Sequence, residues 1–153
     1  MKVQLISLEK DYHLSIAYAV KADLAESWDL IASNAGFAKW FPQLRIEGDK
    51  LIFEMEDFRE EMELLTYQEE QVIAYDWDGA KVSFQFENRD QGSYIHFEEV
   101  IPKDFGNEFS NAAKDMTGWL VQNEFLSALL NGQDVPDRAA LRAKWSDFVE
   151  EHL

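Results

Sequence analysis

The sequence predicts an α+β fold: a curved antiparallel sheet of about six or seven strands wrapped around a long C-terminal helix, with two short helices after the first secure strand. Two observations carry this. Val72 to Ile101 writes out two consecutive β-hairpins whose apolar residues fall on one face. That face needs a helical layer against it, and the one helical segment long enough to supply it is centred on Trp119.

The hairpins set their own register. Asp78-Gly79 is a type I′ turn signal, because both residues tolerate positive φ. With that loop Trp77 opposes Ala80, Tyr75 opposes Val82 and Ile73 opposes Phe84. The turn Arg89-Asp90-Gln91-Gly92 then sets Phe86 against Ile95 and Phe84 against Phe97. The other face carries Asp76, Lys81, Ser83, Gln85, Glu87, His96 and Glu98, so the sheet is wetted on one side only.

The remaining elements follow in order. His13 to Val20 alternates Leu14, Ile16, Tyr18 and Val20 with smaller residues and reads as the first secure strand; the residues before it either extend it or add a short one. Asp23 and Glu26 form an acidic capping box before a helix over about 24–33. Asn34-Ala35-Gly36 breaks that helix, Phe37 to Phe41 suits another turn or two, and Pro42 closes the segment. Leu44 to Glu47, Lys50 to Met55 and Phe58 to Tyr67 read as strands, with Glu54 facing Arg59, Lys50 facing Glu63, and Glu60 on the apolar side. The long helix runs from roughly Asn107 to Leu130, with Met116, Trp119, Leu120, Leu126 and Leu130 on one stripe and Asn123 in its middle. Asn131-Gly132 stops it. Asp137 opens a last amphipathic helix with Leu141, Trp145, Phe148 and Val149 on its apolar face.

At 153 residues the chain reads as a single domain over 1–153, large enough to bury roughly 70% of its unfolded surface. Thirty acidic against 14 basic side chains give a formal charge of −16, which argues against nucleic acid or an anionic membrane as partner. Without cysteine there is no disulfide, thiolate catalysis or cysteine zinc site. No secretory signal or membrane-length apolar run is apparent, so the expected location is cytoplasmic. His13, His96 and His152 lack metal-pair spacing, the Glu54–Glu61 acidic run lacks the pattern of a calcium loop, and no nucleophile motif can be assembled. No metal, cofactor or catalytic residue is assigned.

Ser27-Trp28-Asp29, Phe37-Ala38-Lys39-Trp40-Phe41, Tyr75-Asp76-Trp77 and Gly118-Trp119, in that order, resemble the SRPBCC (START-like, helix-grip) superfamily. More narrowly they resemble its branch of activator of Hsp-ninety ATPase homologue-like proteins. The resemblance covers roughly Leu14 to Leu130, with Asn123 standing where that pattern has an apolar residue and the segment 134–153 extending past its usual end. It implies an apolar cavity for hydrophobic or amphipathic small molecules; some members carry lipids and others are polyketide cyclases or aromatases.

Nine residues are candidates to line such a cavity: Trp40, Phe53, Tyr75, Trp77, Phe84, Phe86, Phe97, Trp119 and Asn123. For each aromatic the competing reading is simple core filling. A buried Asn123 amide needs a partner: Tyr75, a backbone group, water or ligand. The leading expectation is a small-molecule-binding protein. The alternatives are a cyclase- or hydrolase-like enzyme using a cavity carboxylate such as Glu60, or a tyrosine, and a protein-interaction or co-chaperone-like module. In the last, the C-terminal helix would dock a partner or a second copy in a homodimer.

Overall fold

The chain orders as β1 (Lys2–Ser7), β2 (Asp11–Val20), α1 (Leu24–Ala32), α2 (Asn34–Trp40), β3 (Leu44–Glu47), β4 (Lys50–Met55), β5 (Phe58–Gln68), β6 (Val72–Trp77), β7 (Ala80–Arg89), β8 (Gly92–Pro102), α3 (Ala112–Leu130) and α4 (Arg138–His152). These come from a computed structural model that describes residues 1–107 and 110–153. The strands form one antiparallel sheet in the order β1-β2-β8-β7-β6-β5-β4-β3. Among the described residues the count is eight, which corrects the expected six or seven. Lys2–Ser7 is a strand of its own, folded back so that Ser7 pairs with Tyr12 and Lys2 with Ala17. Only Leu5 in it is buried, so its alternation is too weak to read from the sequence.

The central register is the expected one. Trp77 pairs with Ala80, Tyr75 with Val82, Ile73 with Phe84, Phe84 with Phe97 and Phe86 with Ile95. Lys50 pairs with Glu63 and Glu54 with Arg59. Ile73, Tyr75, Val82, Phe84, Ile95 and Phe97 are all buried, and α3 packs across them through Trp119.

Two helix boundaries differ from expectation. Ser33, rather than Asn34-Ala35-Gly36, divides the first two helices. Its backbone turns extended, and its hydroxyl accepts the Gly36 N–H at 3.1 Å, capping α2. Gly36 is then inside α2 at a close crossing, where an added Cβ would stand 2.1 Å from the carbonyl oxygens of Asp29 and Leu30. The long helix begins at Ala112 rather than near Asn107, because the Asn111 side chain accepts the Lys114 N–H at 2.9 Å and starts it there. The part of that expectation on Glu108 and Phe109 lies outside the described residues.

The C-terminal helix α4 lies against α3 and β1. Leu141, Trp145 and Val149 are buried in that contact, and the Trp145 indole donates to Glu124 Oε2 at 2.9 Å. Among the described residues no helix is long and apolar enough to cross a membrane.

Candidate functional site

The inner side of β4 and β5 faces the β6–β7 turn, the segment before α3 and the first turn of α3. Between them lies a pocket of about 530 Å³. Its apolar walls are Phe53, Phe58, Met62, Trp77 and Phe105, and its polar groups include Glu60, Asp78 and Asp115. The register explains the mixture. Phe53 pairs with Glu60 and Leu51 with Met62, so the period of two puts Glu60 on the same face as Met62. The Glu60 carboxyl is pushed up to about 7, first by desolvation, then by a hydrogen bond with Asp78 and the charges of Asp78 and Asp76. A group titrating there can give or take a proton near neutrality.

Asp115 joins this pocket to a buried polar cluster. One of its oxygens accepts the Trp77 indole N–H at 3.0 Å. Glu99, fully buried between Phe97 and Ile101 on β8, faces it. Among the described residues neither oxygen of Glu99 nor Asp115 Oδ2 meets a donor at full hydrogen-bond geometry, the Trp119 indole being the donor that acts on Glu99, and the nearby Tyr75 hydroxyl has no partner among them. Two neighbouring buried carboxyls cannot both ionise, and the absent donor is a proton. Desolvation raises both; the hydrogen bond with Asp115 and then its charge carry Glu99 well above the usual carboxylate range against the Trp119 indole, while Asp115 is held down by Glu99 and Trp77. Glu99 is therefore the protonated partner, donating to an Asp115 that also accepts from Trp77. Burial likewise pushes the Tyr75 phenol well above its ordinary range.

The nine candidate residues do not gather at one place. Phe53 and Trp77 line the pocket, and Trp77 with Trp119 borders a smaller recess of about 220 Å³ on the other side of Asp115. Trp40, Phe84 and Phe97 pack around Trp119, with ring centroids 5.1–6.4 Å away, and Tyr75 is buried beside Trp77. Phe86 stacks edge-on against Trp28, and Asn123 is tied up elsewhere. Its Oδ1 accepts the Tyr18 hydroxyl at 2.8 Å and its amide donates to Trp119 O at 2.9 Å. Of the partners expected for it, the backbone group is present, and Tyr18 stands in place of Tyr75.

Glu99 and Asp115 escaped the sequence reading, yet both left a trace. Glu99 follows Phe97 and precedes Ile101 by two, so strict alternation points it inward. Asp115 precedes Trp119 by one helical turn and shares its face.

No family model and no curated protein matches this chain. Solved structures do. A conserved protein of unknown function, EF2215 from Enterococcus faecalis, superposes with a TM-score of 0.82 at 19% identity, covering 99% of this chain and 92% of that one. The Aha1 dimer from Colwellia psychrerythraea gives 0.61 at 15% identity over 78% of this chain and 96% of the other. DynU16, a putative protein in the dynemicin biosynthetic locus, gives 0.61 at 18% identity, covering 79% of this chain and 48% of that one. At these identities the likeness concerns the fold, an antiparallel sheet gripping a C-terminal helix.

Proposed function

We propose that this chain is a small-molecule-binding protein of the SRPBCC type, in the Hsp-ninety ATPase activator homologue-like branch, holding a hydrophobic or amphipathic ligand between the β4–β7 end of the sheet and the start of α3. The pocket there carries the reading. Its volume lies in the range of ligand sites, and its aromatic walls carry a few convergent polar groups, which is how such sites are built. Thermal unfolding with and without a panel of apolar and amphipathic compounds tests it, followed by native mass spectrometry of protein purified from its own host. A retained molecule and a raised melting temperature support the reading; no shift with any compound and no retained mass would overturn it.

Acid–base catalysis in the same pocket is a second reading, favoured by Glu60 facing the cavity with its carboxyl near 7. A cyclase- or hydrolase-like reaction would then follow the ionisation of that group, so its rate would change over the same pH range.

A further inference from the structure

The pocket's charge is one-sided. Glu56, Asp57, Glu60, Asp78 and Asp115 all line it, and no lysine, arginine or histidine does among the described residues. None of these five is in an ion pair among the described residues. The outer face of the same hairpin is the opposite case. There Arg45 and Arg59 pair with Glu47, Glu54 and Glu61, and Lys50 pairs with Glu63. The cations of this hairpin all serve the solvent side, while Lys114, Arg138 and Arg142 line the adjoining recess beyond Asp115 and stay outside the pocket.

A second observation points inward. Glu99 holds the proton that the two acids share, which leaves the negative charge on Asp115, the member of the pair on the pocket wall. A largely buried negative charge is costly unless a cation or further donors offset it. An ammonium supplies three donors and a positive charge together. It is also attracted by aromatic faces such as those of Trp77 and Phe53.

We propose that the pocket selects a cationic amphiphile, an organic amine whose apolar body lies against Phe53, Met62 and Trp77 and whose ammonium pairs with the Glu60–Asp78 carboxyls. This rests on the small-molecule reading and narrows it. A fatty acid or other anionic amphiphile would meet repulsion from the same wall, and a neutral one would gain only apolar burial.

Three probes of one skeleton separate these cases: phenylbutylamine, phenylbutanol and phenylbutyrate, titrated calorimetrically into the full chain. Near pH 8 the amine is expected to bind about tenfold or more tighter than the alcohol, a difference of ~1.4 kcal/mol, with the carboxylate weakest. Amine affinity should rise with pH up to about 7, because Glu60 must shed its proton to pair. Asp76, Asp78, Asp115, Glu56 and Asp57 face or border that group, and all favour the cation. Glu60→Gln should narrow the amine's advantage over the alcohol and flatten its pH dependence. Equal binding of amine and alcohol, or a preference for the carboxylate, would overturn the cation inference while leaving the binding reading intact. Failure of all three probes to bind would overturn it too, and if the wider panel also failed the binding reading would fall.

Discussion

Glu60 and Glu99 sit on the mainly apolar inner face of the sheet, and desolvation first of all raises both carboxyls above the range they have in water. The sign of the consequence is the same for each. A carboxyl whose folded pKa is raised binds more protons in the native state, so its favourable contribution is complete below the unfolded value and is lost as pH rises through the folded one. For Glu60 that window runs from 4.5 to about 7. Glu60→Gln should therefore leave stability unchanged at the acid end and raise it above neutrality. The gain is about 1 kcal/mol or less, because solvent screens a rim position. Urea midpoints measured across that range check it. Glu99→Gln should do more, since its amide donates to Asp115 at every pH. We expect ~1–3 kcal/mol of added stability at mildly alkaline pH, the usual cost of an unsatisfied buried polar group. Little change is expected in acid. A loss of stability at alkaline pH would contradict the assignment of Glu99 as the proton donor.

At the scale of elements, α4 behaves as a cover for its own domain. Trp145 is buried against α3 and anchored to Glu124, whose other oxygen takes the Lys144 ammonium at 3.1 Å. Trp145→Ala should cost ~3–5 kcal/mol, as for other large-to-small changes of a buried tryptophan, and denaturant unfolding measures it. A helix displayed for a partner would lose far less. The elements that were legible in the sequence are those whose pattern is local. The Asp78-Gly79 turn and the alternation on either side of it place β6, β7 and β8 residue for residue. Asn131-Gly132 ends α3 as expected, with Gly132 at φ 65°. What escaped depends on long-range geometry. Lys2–Ser7 pairs because β2 presents a free edge. Ser33 both ends α1 and starts α2, a double role that single-residue propensities do not express. The pocket was legible only in part: Phe53 and Trp77 were among the residues expected to line a cavity and Glu60 was placed on the apolar side, but their meeting with Asp115 depends on how the sheet and α3 come together.

At the scale of the whole molecule, a formal charge of −16 on 153 residues makes self-repulsion a general term. Added salt should raise the melting temperature near pH 8, and the gain should shrink toward pH 5 as carboxylates are neutralised. Scanning calorimetry at several ionic strengths checks this. A melting temperature indifferent to salt near pH 8 would show that the charges are spread too widely to matter.

The sealed partnership of Glu99 with Asp115 gives this protein an uncommon relation to acidity. Most globular proteins loosen when their surroundings turn sour, because protonation strips charge from carboxylates that the native state had engaged. Here the innermost acids want the proton already, so mild acidification should tighten the fold until solubility fails near the isoelectric point of about 4.4. Brief exposure to a weakly acidic buffer ought to leave it intact while less tolerant companions precipitate.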